Sequence, residues 1–225
     1  MKDQTLFQKP VTYLITKGNL TDRNYAVLSA ETLKIVSKAV ETEINLIQVR
    51  EKKLSPEKLL NLTERIVASA ENSDTKILVN THLEIAVSAG ADGVHLPSGQ
   101  IHIQNFRKRI PRHFLIGVST HTFEQAEKSA SEKADFIVYS PIFEPISKDS
   151  YGRPKGLKNL RKICGKIENL PVLALGGVRM DNFESILQAG AVGFAGIGFF
   201  NLPENLDKIA LWKKRLLTAQ PKKSV

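Results

Sequence analysis

The sequence predicts an α/β protein, a single (β/α)8 TIM barrel, over its 225 residues. Three observations carry that expectation. Short apolar runs of strand length alternate with longer amphipathic segments along the whole chain. The runs are continuously apolar rather than alternating, as in a parallel sheet covered by helices on both faces. Eight run-and-helix pairs fit a chain of barrel length, with no residue-level repeat beyond the unit and no low-complexity tract. A doubly wound open sheet is disfavoured because no G-x-G-x-x-G follows the first strand, whose downstream loop holds a single glycine, Gly18. Residues 1–225 are read as one domain, with a flexible N-terminal arm at 1–10 and a C-terminal tail at 219–225.

After the arm, residues 12–16 (TYLIT) make the first strand, and a loop rich in Gly, Asn, Thr and Asp leads to a helical pattern through Ala26, Leu33, Val36 and Val40. Residues 45–49 are the second strand, with Ser55 and Pro56 as N-cap and first residue of a helix reaching Ala70. Residues 76–79 form the third strand and 82–89 a short helix with Gly90 at its C-terminal end; 93–96 form the fourth strand. Residues 106–110 belong to another helix, 115–118 to strand five, 123–133 to a helix and 136–139 to strand six. Residues 141–155 are the longest irregular segment and hold three of the ten prolines; loops of this length are more often functional than decorative. Residues 157–167 are helical, and 171–175 form a strand that stops at Gly176 and Gly177. An amphipathic segment, a last strand at 192–197 ending at Gly198, and a closing helix at 206–217 complete the pattern.

No apolar run approaches the roughly 18 residues that would span a bilayer, and the N-terminus MKDQTLFQKP lacks the apolar stretch of a signal peptide. A cytoplasmic protein without membrane contact is expected. The one cysteine, Cys164, has no internal partner and is read as a small buried residue; no Cys/His spacing resembles a zinc motif. A formal charge of +9 would attract polyanions. The cations are, however, spread along helices and gathered in the tail, without aromatic interleaving or a nucleic-acid motif, so small anions are the expected partners and nucleic acid is not. A homo-oligomer is compatible with the sequence.

In a barrel, chemistry belongs at the carboxyl ends of the strands. Those ends carry Gln48, Arg50 and Lys52; Asn80; His95 and Ser98; Ser119 and His121; then Ser147 and Lys148 in the long loop. Strand alternation points Gln48, Arg50 and Lys52 the same way while the strand stays extended, and a guanidinium fork with an ammonium could hold a phosphate or carboxylate. A solvated turn with Glu51 as ion partner is the bland alternative. Glycines after the last two strands let the backbone approach an anion, at the usual phosphate position of barrels, or simply make tight turns.

The motifs QVREK (48–52), LVN (78–80), ADGVHL (91–96), GVSTHT (117–122), SPIFEPISK (140–148) and LALGG (173–177) together resemble the thiamine phosphate synthase and TenI family. The resemblance covers roughly residues 12–200. Its synthases join a pyrimidine methyl diphosphate to a thiazole phosphate with release of pyrophosphate, using Mg²⁺. The family pattern implies that Gln48, Arg50, Lys52, Asn80, Ser119 and Lys148 line the pocket, with Gly177, Ile197 and Gly198 near a substrate phosphate. Ser147 in the long loop is added as substrate-binding, and catalysis is assigned to His121 for proton transfer with Lys148 and Arg50 holding the anion. The two metal-binding aspartates of the synthases are missing: Asn80-Thr81 replaces Asn-Asp, residues 97–100 read PSGQ, and Pro145 replaces a loop threonine. Mg²⁺ prefers carboxylates with substrate phosphates.

These departures match the TenI branch, which includes a metal-free thiazole tautomerase with a proposed catalytic histidine at the position of His121. The expectation is therefore a tautomerase of thiazole phosphate, with no metal and no cofactor. The alternatives are a synthase with Mg²⁺ held mostly by substrate and water, or a silent barrel that binds thiazole or thiamine phosphate as a regulator. His82, His95 and His121 near successive strand ends could form a metal site, but the spacing matches no ligand motif and His95 also suits a hydrogen-bonded packing role. Asp92 and Asp135 precede their strands and are expected to be structural.

Overall fold

The apolar runs are strands of one closed parallel sheet: β1 (Val11–Ile15), β2 (Leu46–Val49), β3 (Lys76–Asn80), β4 (Gly93–Leu96), β5 (Leu115–Thr120), β6 (Phe136–Tyr139), β7 (Val172–Ala174) and β8 (Gly193–Gly196). Each is followed by a helix: α1 (Tyr25–Glu41), α2 (Pro56–Ser69), α3 (Leu83–Ser88), α4 (Ile103–Arg107), α5 (Phe123–Ser131), α6 (Gly156–Lys166), α7 (Phe183–Gln188) and α8 (Pro203–Ala219). In this computed structural model, residues 4–7, 10–99, 103–108, 110–111, 113–144, 152–167 and 169–219 are described. β1 pairs in parallel with both β2 and β8, which closes the (β/α)8 barrel.

Strand alternation divides the apolar residues between two cores. Val11, Tyr13, Ile15, Leu46, Leu78, Phe136, Val138, Leu173 and Ala195 fill the barrel. Their neighbours Leu14, Ile47, Val79, Val94, Ile116, Ile137 and Phe194 pack under the helices. Burial on both faces is the physical reason the runs are continuously apolar.

Local chemistry sets the helix starts. Pro56 begins α2 after an extended Ser55, although the Ser55 side chain makes no capping bond; Thr122 caps α5 by accepting the Gln125 N–H. The helix expected at 106–110 instead ends at Arg107. Pro111 disfavours a helical conformation before it, and a Phe114 N–H to Pro111 carbonyl turn leads into β5. Within the expected N-terminal arm, residues Gln4–Phe7 form a 3-10 turn. Phe7 lies 5.7 Å from the Phe136 ring and covers the inner core from below. Among the described residues, no helix is long and apolar enough to cross a membrane.

Candidate active site

Gln48, Asn80, His95 and Ser119 continue the inward-facing set beyond Leu46, Leu78, Gly93 and Gly117, so four adjacent strands raise polar side chains at the carboxyl end of the barrel. The register places Asn80 beside His95, His95 beside Gly117 and Ser119 beside Val138. Gly117 makes room for the imidazole: a Cβ there would stand 2.7 Å from His95 Nδ1 and 2.4 Å from the Phe136 ring.

His95 is the centre of a buried polar chain. Its Nδ1 lies 3.2 Å from the Tyr13 hydroxyl and its Nε2 3.0 Å from Ser119 Oγ. Tyr13 is fully buried and His95 is 3% exposed, whereas Ser119 is half-buried at the opening. Burial, and secondarily the Arg50 guanidinium, lower the His95 pKa to about 3, so the ring is neutral at physiological pH. Burial likewise raises the Tyr13 hydroxyl well above its ordinary value. Among the described groups, one buried side-chain atom at this mouth, Gln48 Nε2, has no hydrogen-bond partner. A donor left without a partner costs about 1–3 kcal/mol, and a ligand acceptor would relieve it.

Beyond Gln48 the strand stops at Val49, and this corrects the reading of Glu51 and Lys52. Arg50 is still aligned with the wall, its N–H bound to Thr16 Oγ1 at 2.9 Å. The buried Glu51 carboxylate accepts the N–H groups of Gly18 (3.0 Å) and Leu20 (2.9 Å), bracing the β1–α1 loop. Lys52 is exposed in a turn closed by the Leu54 N–H and the Glu51 carbonyl, where strand alternation no longer directs it.

His121 follows β5 and is half-buried. Its Nδ1 lies 3.0 Å from the Ser140 carbonyl oxygen, which only accepts, so Nδ1 carries a proton. In the neutral ring Nε2 is then the basic atom. The His121 N–H is held by Gln125 Oε1 at 2.7 Å.

The turns after β7 and β8 are each held by an asparagine. Asn182 Nδ2 donates to the Gly177 carbonyl and Asn182 Oδ1 accepts from Arg179 N–H. Asn201 Nδ2 donates to the carbonyls of Ile15 and Ile197, tying the last turn to β1. Gly176 and Gly177 have φ of 100° and 60°. A Cβ on Gly177 would stand 2.5 Å from the Glu144 carbonyl and one on Gly176 2.7 Å from Pro141 Cβ, so the start of the long loop also requires these glycines. At Gly198 a Cβ would meet nothing within 4 Å; with half-buried Ile197, it leaves an open backbone edge.

Among the described residues, no three His, Cys, Asp or Glu side chains converge on a possible metal position. Thr81 stands where the synthases resembled by the sequence carry a carboxylate. It has φ 67° inside a γ-turn closed by the His82 N–H and the Asn80 carbonyl, a strained state for a β-branched residue, and its hydroxyl accepts from Asn80 Nδ2. Ser147 and Lys148 lie outside the described residues. Tyr13, Asn182 and Asn201 were not found from sequence: Tyr13 looks like any strand aromatic, and the asparagines look like ordinary turn residues. A polar-tipped ring at an inward strand position was the available signal for Tyr13.

The family described as thiamine monophosphate synthase matches residues 12–199. A thiamine-phosphate synthase of Methanoregula boonei is 37% identical over 151 residues, 67% of this chain and 69% of that protein. One of Methanocella arvoryzae is 32% identical over 185 residues, 82% of this chain and 87% of its own length. Among solved structures, the thiamine phosphate pyrophosphorylase from Pyrococcus furiosus superposes with a TM-score of 0.74 at 26% identity, covering 92% of this chain and 98% of that one. A 3-hexulose-6-phosphate synthase, TM-score 0.67 at 16% identity, shares the fold alone.

Proposed function

The chain belongs to the thiamine monophosphate synthase and TenI family, and we propose that it is a thiamine-phosphate synthase, joining a pyrimidine methyl diphosphate to a thiazole phosphate with release of pyrophosphate. The observation that carries this reading is the family match, which spans all the strand ends described above and the turn held by Asn182. Relatives that bear the name thiamine-phosphate synthase match over most of their own length. The mouth suits an anionic substrate. Arg50 supplies positive charge, Gln48 Nε2 an unpaired donor, and Gly177 and Gly198 the backbone edges for a phosphate. Lys52 and Lys148 add charge from the turn and the long loop. Asn80, Ser119 and Ile197 line the same mouth, Ser147 joins them only as an expectation from the sequence, and stabilising the charge on the leaving pyrophosphate falls to the cations.

The side chains described do not fit a protein-held Mg²⁺. That ion takes hard oxygen ligands, usually including one or two carboxylates, and Thr81 offers a hydroxyl already engaged with Asn80. This observation favours a second reading, a metal-independent thiazole tautomerase. Tautomerisation removes a proton at one atom and delivers it at another, and His121 is arranged for it: Nδ1 anchored on Ser140, Nε2 available to exchange.

The two readings separate in one experiment. Purified protein is incubated with a thiazole phosphate, with and without the pyrimidine diphosphate, Mg²⁺ and EDTA. Pyrophosphate release at ordinary enzymatic rates establishes the synthase. Interconversion of thiazole tautomers insensitive to EDTA, without pyrophosphate release, establishes the tautomerase.

A further inference from the structure

We propose that Tyr13 and His95 are positioning residues that fix Ser119 as a hydrogen-bond donor toward the bound substrate. The inference rests on reading the barrel mouth as the substrate pocket. It starts from the direction of the protons in the chain Tyr13, His95, Ser119. Tyr13 is fully buried, and its hydroxyl has one hydrogen-bond partner among the described residues, His95 Nδ1. His95 Nε2 has one, Ser119 Oγ.

A neutral imidazole has one N–H and one lone pair. If Nδ1 carried the hydrogen, Tyr13 would have to accept it, and the phenolic proton would be left without an acceptor in the barrel core. If Nε2 carries it, Tyr13 donates to Nδ1, Nε2–H donates to Ser119 Oγ, and every buried donor is satisfied. Stranding a buried hydroxyl proton disfavours the first arrangement by a factor on the order of ten or more. A doubly protonated ring strands the same phenolic proton and places a cation in the apolar core near Arg50, against which burial acts strongly.

The polarity therefore runs outward. Ser119, half-buried at the opening, has a lone pair taken by Nε2–H, so its own proton is directed into the mouth. That proton suits an acceptor on the substrate beside it: a phosphate oxygen, a carboxylate or an unprotonated ring nitrogen. The aromatic setting holds the relay in place, since Tyr13 and His95 each pack within 6.0 Å of Phe136.

The direct test is nitrogen NMR of the full chain labelled at histidine, with the His95 signal identified by its loss in His95→Gln. The expected spectrum has a pyrrole-like Nε2 and a pyridine-like Nδ1, unchanged from about pH 5 to 8. A pyrrole-like Nδ1, or a protonated ring, overturns the proposal. Binding of a thiazole phosphate supplies the second test. Tyr13→Phe keeps the ring and removes the donor, and both it and Ser119→Ala should weaken binding about three- to tenfold. Because Tyr13 acts through Ser119, the double variant should bind within about twofold of Ser119→Ala alone; losses that multiply overturn the proposal. His95→Gln keeps an acceptor and a donor and should bind better than His95→Leu. Equal loss in the two variants counts against it. If the wild-type protein binds no thiazole phosphate, the substrate reading fails, while the ring spectrum still decides the relay.

Discussion

The two ends of this barrel treat polar groups in opposite ways. At the amino end, Asn45 Oδ1 accepts the Thr12 N–H, Asp92 Oδ2 accepts the Ile77 N–H and Asp135 Oδ2 accepts the Ile116 N–H. In each case the residue preceding an even-numbered strand caps the strand before it, and Arg107 and Lys76 neutralise the two carboxylates. At the carboxyl end, valences are left open: Gln48 Nε2 lacks a partner, Ser119 keeps a proton for the mouth and His121 keeps Nε2. Buried polar groups are normally satisfied. The end that obeys this rule holds the barrel together, and the end that departs from it is where a substrate would complete the set.

The sharpest way to break the contrast is Asp135→Ala. It strands the Ile116 N–H and removes the carboxylate partner of a mostly buried Arg107. A loss of about 3–5 kcal/mol in urea unfolding is expected, with turnover unaffected while the protein stays folded. A loss below about 1 kcal/mol would remove the amino end from its structural role. At the other end, His121→Ala should lower turnover of a thiazole phosphate about 10²-fold in the tautomerase reading, with little change in unfolding midpoint. Arg50→Ala should act mainly on KM, because an anion contact made equally in ground and transition states affects binding more than chemistry. Full turnover by His121→Ala would show that the imidazole is not the catalyst.

His95 gives the contrast a pH signature. An unfolded histidine protonates near 6.5, whereas the folded ring does so near 3. Between those values the unfolded chain binds more protons, so this contribution to stability is complete above 6.5 and is lost as the pH falls toward 3. His95→Gln should flatten that part of the stability curve, by up to about 5 kcal/mol for a shift from 6.5 to about 3, read from urea midpoints across the range. An unchanged slope would mean that burial of the ring does not govern acid sensitivity. The smallest expected effect is at Gln48. Gln48→Leu removes the unpaired donor and should raise stability by about 1 kcal/mol while weakening substrate binding. If it destabilises the protein, the amide is part of the core rather than of the pocket.

The sequence alone determined the barrel, because a strand buried on both faces must be apolar at every position and a helix on its surface must not be. It located the strand ends with Gln48, Asn80, Ser119, His121 and Gly177, and it marked Asp92 and Asp135 as structural from their place before a strand. Tertiary structure decided the partners. Tyr13 and His95 are 82 residues apart, and the register of the closed sheet brings them together. Glu51, an easy local partner for its neighbouring cations on paper, turns inward to brace Gly18 and Leu20. Lys52 leaves the wall because the strand ends three residues earlier, at Val49. Gly176 and Gly177 are required by residues 141–144 as well as by their own turn. Periodicity is a local property that a chain carries in its order, whereas a buried polar group takes whichever partner the folded geometry places within about 3 Å of it.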